Sequence, residues 1–337
     1  MKAVVLHRPG AASVEERPEP VVRPGDALLR VRRVGLCGSD LNSWRGRNPL
    51  VSYPRIPGHE VAATIVDLTR NDTQFATGMD VTLSPYSACH ACAACRAGRP
   101  NACQHNETLG VQRDGALAEF IAVPIEKLYR ADLTLDELAL VEPLTVGFHA
   151  VARAGVQPSD SIAILGCGGV GLGAVAGAVF RGATVIAVDV EDTQLEIARR
   201  IGASHTVNSQ HQDLATALKD LTGGTGPSGV IEAIGVPETY RAAVELVAFA
   251  GRVVYIGYAS EPVAYQTKLF VQKELDICGS RNALPEDFAD VIRMLEQHRF
   301  PADLVIRTSV RLEEVPAILP RWSESPGIYA KIMTYLD

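Results

Sequence analysis

The chain is 337 residues long, more than one hydrophobic core usually serves, so two domains are expected. With 47% hydrophobic and 21% charged residues it has the make-up of a soluble globular protein. A net charge of -7 and the lack of any Lys/Arg block exclude the basic stripe that nucleic acid or an anionic membrane requires.

The four apolar residues between Lys2 and His7 are too few for the core of a signal peptide, which predicts a cytoplasmic protein. Residues 2 to 35 alternate apolar and polar side chains between turn signals such as Arg8-Pro9-Gly10 and Arg23-Pro24-Gly25-Asp26, the pattern of short antiparallel strands. A strand over Ala27 to Val34 leads to Cys37, and further strands are expected at Val61 to Leu68, Asp80 to Ser84 and Ala118 to Val123. The first 150 residues therefore read as mainly β.

Cys37-Gly38-Ser39-Asp40 and Gly58-His59-Glu60 offer a thiolate, an imidazole and a carboxylate. A catalytic zinc takes three protein ligands and keeps a fourth position open, which makes Cys37, His59 and Glu60 candidate ligands. A buried thiol beside an ordinary polar histidine is the alternative. Cys89, Cys92, Cys95 and Cys103 follow C-x2-C-x2-C-x7-C, a compact set that can wrap four thiolates around one ion. Ferredoxin clusters also begin C-x2-C-x2-C, but their fourth Cys comes three residues later and precedes Pro. Here the gap is seven residues and Gln104 follows, so a closed structural zinc site is expected. Seven cysteines without an export signal fit metal or redox chemistry better than a disulfide framework.

From Ser161 onward, apolar strands alternate with helical segments. Ile162 to Leu165, Thr184 to Val188, His205 to Val207, Gly229 to Ile234, Arg252 to Ile256 and Leu275 to Cys278 predict an α/β fold with a doubly wound parallel sheet. Residues 161 to 180 carry no charge and have the length of a membrane span, but six are Gly, which fits a buried strand, a glycine turn and a tightly packed helix. A helix over Pro285 to Gln297 and strand-like pieces close the chain.

The pattern G-x-G-x-x-G stands in Gly166-Cys167-Gly168-Gly169-Val170-Gly171, directly after a strand and before a small-residue helix. There the free N–H groups of the helix N-terminus face a pyrophosphate. Asp189 closes the next strand, where a carboxylate accepts from an adenosine ribose, and Val190 to Gln194 bring no cation for a 2′-phosphate. NAD is expected over NADP. A ligand-free glycine turn, with Asp189 capping the next helix, is the alternative.

In this order the motifs resemble the zinc-dependent medium-chain alcohol and polyol dehydrogenases over nearly the whole length. Val141-Glu142-Pro143-Leu144 together with Gly58-His59-Glu60 is similar to the sorbitol and threonine dehydrogenase branch, in which a Glu stands where alcohol dehydrogenases have a second zinc Cys. Tyr53-Pro54-Arg55 and Gly279-Ser280-Arg281-Asn282-Ala283 resemble sugar-acid dehydrogenases acting on L-galactonate or L-gulonate.

The resemblance implies a GroES-like β domain over residues 1 to 150 holding both zincs, a Rossmann NAD domain over 151 to 283, and a C-terminal segment, 284 to 337, completing the first, with the active site in the cleft between them. It implies Cys37, His59 and Glu60 as catalytic zinc ligands, Glu142 as a ligand or water-mediated partner, Asp40 as the carboxylate that orients the His59 ring, and Ser39 as proton acceptor. Gly166, Gly168, Gly169, Val170, Gly171 and Asp189 would hold the cofactor. Arg281 would meet a substrate carboxylate, Glu142 or the cofactor. Where relatives often carry a His, Asn42 cannot titrate near neutral pH, which implies a proton exit through ordered water. Gln194 stands where many relatives place an Arg near the adenosine ribose.

The implied reaction is oxidation of a secondary alcohol of a polyol or sugar acid with hydride transfer to NAD+, in a homodimer or homotetramer. Another polyol or threonine as substrate, and a cofactor-binding regulatory protein on the same fold, are the alternatives.

Overall fold

The computed structural model describes residues 1–70, 74–325, 327, 329 and 331–336. It divides into two compact units, Met1–Glu142 with Ala302–Asp337, and Pro143–Pro301.

In the first unit, Lys2–Arg8 and Ala11–Glu16 form an antiparallel hairpin. A seven-stranded sheet runs in the order Ile306–Arg311, Lys331–Tyr335, Asp26–Leu36, Glu60–Leu68, Asp80–Leu83, Leu128–Tyr129, and Phe120–Pro124 also pairs with Asp26–Leu36. Alternation along Asp26–Leu36 sends Ala27, Leu29 and Val31 into the core while Arg30 stays exposed. Ile332 and Leu336, from the end of the chain, lie in the same core cluster. The end of Asp26–Leu36 and the start of Glu60–Leu68 are antiparallel neighbours, with Gly35 opposite Glu60, which brings the two motif segments together.

In the second unit, six parallel strands stand in the order His205–Asn208, Thr184–Asp189, Ser161–Leu165, Gly229–Glu232, Arg252–Tyr255, Asp276–Gly279. This is the doubly wound arrangement expected from the sequence, and its order reverses between Ser161–Leu165 and Gly229–Glu232, the crevice where such sheets take ligands. Ala163, Leu165, Ile186, Val188, Val230 and Val253 form its core, a run of apolar side chains typical of strands covered on both faces. Residues 161 to 180 fold as the strand Ser161–Leu165, the glycine loop and the helix Gly169–Phe180. No helix among the described residues is long and apolar enough to cross a membrane.

Two boundaries differ from the reading of the sequence. Residues 143 to 150 and 284 to 301 cluster with the second unit rather than with the β domain. The helix Leu135–Arg153 runs through the first boundary. The helix Pro285–Glu296 buries Phe288, Val291, Met294 and Leu295, and its Asp287 bonds Nδ1 of His149 at 2.8 Å. The amphipathic pattern marks this apolar face but not the core it joins. A helix also forms at Val315–Glu324, where strand-like pieces were expected. Pro316 sits in its first turn, where a missing N–H costs little.

Candidate zinc and dinucleotide sites

Cys37 caps the short helix Gly38–Trp44. The buried carboxylate of Asp40, on that helix, accepts from the backbone N–H of Cys37 at 2.9 Å and of Gly58 at 3.2 Å. It thereby ties the loop carrying Cys37 to the turn carrying His59. Its oxygen nearest the His59 ring is 3.8 Å from Nδ1, so the hydrogen bonds it makes here go to backbone, beside the ring that the resemblance implied it orients. Nδ1 of His59 is buried without a hydrogen-bond partner, and Nε2 lies 3.5 Å from Oγ of Ser39. One ligand atom each from Cys37, His59 and Glu60 lies within 4.8 Å of the others. Asn42 is exposed on the same helix.

Glu60 begins its strand opposite Gly35, and a Cβ on Gly35 would stand 2.0 Å from Oε2 of Glu60. Glycine there is what lets the Glu60 side chain lie across the neighbouring strand. It meets Lys331, whose Nζ lies 2.7 Å from both carboxylate oxygens and 3.4 Å from the carbonyl of Leu36. Glu60 and Lys331 are 1% and 6% exposed. Burial works against the charge of Lys331, but Glu60 and then Cys37 hold its pKa above the ordinary lysine value.

Glu142 is buried near the middle of the helix Leu135–Arg153, directly before Pro143, and its Oε1 accepts from the buried hydroxyl of Tyr86. Burial pushes Glu142 up to about 7, against the pull of His59 and with the charge of Glu60 adding to the rise. Burial also disfavours a charged His59 ring, yet Asp40, Cys37 and Glu142 hold its pKa well above the ordinary histidine value. Three buried carboxylates and the Cys37 thiol thus share their surroundings with Lys331 and the His59 ring. A divalent ion bound there would take the place of protons at its ligands. The donor set of sulfur, nitrogen and oxygen fits zinc.

The four cysteines form a second cluster. A tetrahedron with metal–sulfur bonds of about 2.3 Å has sulfur–sulfur edges of about 3.8 Å. Cys92 to Cys95 and Cys89 to Cys103 measure 3.5 Å, and Cys92 to Cys103 measures 3.9 Å. Backbone N–H groups of Cys89, Cys92 and His105 point at sulfurs, each at 3.3 Å. The N–H groups of Cys95 and Gln104 draw Cys92 down to about 6, whereas desolvation pushes Cys95 up to about 12. A zinc ion bound by the four sulfurs would favour their thiolate forms.

In the second unit the glycine loop joins Ser161–Leu165 to Gly169–Phe180. Gly166 has φ +94°, and a Cβ on Gly171 would lie 1.9 Å from the carbonyl of Gly166, so the tight turn excludes any side chain there. A Cβ on Gly168 would meet nothing within 4 Å, leaving open space at the helix N-terminus where the backbone of Gly168, Gly169 and Val170 can approach a phosphate. Asp189 accepts from Cys167 N at 2.6 Å, Val190 N at 2.8 Å and Glu191 N at 3.0 Å. These bonds aim its carboxylate and occupy three of its roughly four lone-pair sites. Arg281 is half-buried in the bend between Asp276–Gly279 and Pro285–Glu296. Arg55 is held by Asp114 and Ser52 within its own unit.

Residues 169–297 match the zinc-binding dehydrogenase family, and residues 23–132 match the alcohol dehydrogenase GroES-like domain. L-galactonate-5-dehydrogenase of Escherichia coli K12 is 33% identical over 308 residues, covering 91% of this chain and 90% of its own. The chain belongs to the zinc-type medium-chain alcohol and polyol dehydrogenases. Sorbitol dehydrogenase of Bacillus subtilis 168 is 35% identical over 287 residues, with 83% of this chain and 81% of its own covered. Among solved structures, alcohol dehydrogenase rspB of E. coli CFT073 in complex with NADH matches at TM-score 0.91 and 27% identity, over 100% of this chain and 99% of that one. A Sinorhizobium meliloti 1021 protein bound to NADP matches at TM-score 0.91 and 29% identity, over 99% of each chain. In this zinc-type dehydrogenase, the two residues that motif reading missed are Lys331 and Tyr86. Lys331 left one trace, a lone charge opening the apolar strand Lys331–Tyr335, and Tyr86 left none.

Proposed function

We propose that the chain oxidises a secondary alcohol of a polyol or sugar acid, with an aldonate such as L-galactonate or L-gulonate preferred, and passes hydride to NAD+. The observation carrying this reading is the cluster of Cys37, His59 and Glu60 with the Ser39 hydroxyl 3.5 Å from Nε2 of His59. Zinc at such a cluster supplies a Lewis acid that makes a substrate hydroxyl easier to deprotonate. Ser39, half-buried beside the ligands, takes that proton. Asp40 fixes the backbone of both ligand segments, and Lys331 holds the Glu60 carboxylate. Gly166, Gly168, Gly169, Val170 and Gly171 receive the pyrophosphate, and Asp189 the adenosine ribose. The 33% identity to L-galactonate-5-dehydrogenase supports a sugar acid over a neutral polyol.

Asp189, Glu191 and Asp192, with no cation from 190 to 194, repel a 2′-phosphate, although the similar solved proteins include one with NADH and one with NADP. A panel of aldonates, hexitols, pentitols and threonine, each offered with NAD+ and with NADP+ and read by nicotinamide absorbance, tests both parts. The highest kcat/KM is expected for an aldonate with NAD+, by about tenfold over NADP+. Threonine or a neutral polyol turning over faster removes the sugar-acid assignment. No turnover at full zinc loading favours the cofactor-binding alternative.

We further propose that two copies pair through the edge strand Asp276–Gly279. Its outer edge has no strand neighbour among the described residues, and Ile277, Val271 and Phe249 expose apolar surface. A strand edge is self-complementary about a two-fold axis. Ile277→Lys is expected to halve the mass seen by sedimentation, and an unchanged mass rules this edge out.

A further inference from the structure

The strand Gly229–Glu232 ends at the crevice where the sheet order reverses, and its last residue, Glu232, is 0% exposed. One carboxylate oxygen, Oε1, accepts from the backbone N–H of Ile234 at 2.9 Å, from that of Gly235 at 2.8 Å and from the hydroxyl of Thr239 at 2.7 Å. The other, Oε2, is buried without a hydrogen-bond partner and faces Gly257, where a Cβ would stand 2.7 Å from it. Successive backbone N–H groups in a turn make a concavity that binds an anion, and here the anion is a side chain of the protein itself. Gly235 has φ +85°, a conformation that glycine adopts without strain. The turn so held lies against the glycine loop. Ala233 N donates to the carbonyl of Leu165 at 2.9 Å, and a Cβ on Gly166 would stand 2.5 Å from Cγ1 of Ile234.

We infer that Glu232 is a positioning residue for the dinucleotide: its carboxylate folds residues 233 to 236 into a fixed turn, and that turn sets how Ile234 stands against the glycine loop that receives the pyrophosphate. Three donors that converge on one oxygen call for a charged acceptor, because charge-assisted hydrogen bonds are roughly twice as strong as neutral ones. A buried donor left short of an acceptor is unfavourable, so the turn opens when the acceptor weakens. Keeping the charge leaves Oε2 buried and unpaired, itself an unfavourable state, which marks the shape of this turn as the feature being held. With glutamine at this position the grip on Ile234 N, Gly235 N and Thr239 loosens, and Ile234 leaves its place beside Gly166. The cofactor then binds less tightly, while the zinc ligands, which lie in the other unit, are untouched. The inference rests on the cofactor reading proposed above.

The test uses the full chain, with NADH binding read by cofactor fluorescence, zinc content by metal analysis and stability by urea unfolding. Glu232→Gln is expected to raise the Kd for NADH and the KM for NAD+ by about tenfold each, with zinc content unchanged and kcat at saturating NAD+ not lowered. Thr239→Val, on the helix Pro237–Leu246, removes one donor and leaves the carboxylate in place, and is expected to raise the Kd by about threefold. A wild-type Kd in Glu232→Gln overturns the inference, and a lowered urea midpoint beside that unchanged Kd makes the residue structural only. A fall in kcat with an unchanged KM for NAD+ overturns it as well. If Glu232→Gln fails to fold, Thr239→Val decides alone, and an unchanged Kd there overturns the proposal. A wild-type chain that binds neither NADH nor NADPH overturns the cofactor reading itself, and the role of Glu232 with it.

Discussion

Replacing Cys37 by Ala is expected to cut kcat/KM for alcohol oxidation by about a thousandfold or more, and to reduce bound zinc from two ions per chain to one. The magnitude follows from what the thiolate does. A catalytic zinc held by three protein ligands loses its only soft, anionic donor, leaving an imidazole and a carboxylate already shared with Lys331. Polarisation of the substrate oxygen is worth several kcal/mol, and each 1.36 kcal/mol is about tenfold in rate. The fold should survive, because the local structure rests on the backbone N–H of Cys37, which Asp40 holds, and not on its sulfur. The four-cysteine cluster uses other residues and keeps its ion. Metal analysis beside steady-state kinetics checks this outcome. Two zinc ions retained, with activity within tenfold of wild type, would falsify the assignment of Cys37.

The two segments that bring Cys37, His59 and Glu60 together were legible because each is a contiguous motif. Cys37 and Asp40 lie in one helical turn, and His59 and Glu60 are adjacent, so spacing alone exposes the donor set. The glycine loop was legible for a similar reason, since strand, turn and helix are consecutive. Relations that depend on strand neighbours were not. Lys331 reaches Glu60 because Lys331–Tyr335 and Glu60–Leu68 flank Asp26–Leu36 on opposite sides, and nothing in a linear reading sets that order. The need for Gly35 appears only once the register puts it opposite Glu60. The direction of the Asp40 carboxylate was equally hidden, because a second-position role toward His59 and a backbone clamp require the same residue at the same spacing. The partners of Arg55 were hidden in the same way, since the fold brings it to Asp114 as well as to nearby Ser52.

Lys331→Met should destabilise the metal-free protein by about 3–5 kcal/mol, the usual cost of stripping one partner from a buried ion pair. Both groups are almost wholly shielded from water, and both oxygens of Glu60 lie 2.7 Å from the same Nζ. Methionine fills much of the space of the lysine stem, so packing changes little and the loss reports the charge. It leaves Glu60 beside Cys37 and Glu142, with no buried lysine to balance them. A zinc ion at the cluster would restore positive charge on the other side of Glu60. The same substitution should therefore cost clearly less with zinc saturating, and the variant should depend on zinc for stability more steeply than the wild type. Urea unfolding of both proteins, with chelator and with excess zinc, measures the four midpoints. A loss below about 1 kcal/mol in chelator means that the pair contributes little net stability. An equal loss with and without zinc separates Glu60 from the ion and removes it from the ligand set, because a carboxylate ligated to zinc cannot be indifferent to the metal when its lysine is gone.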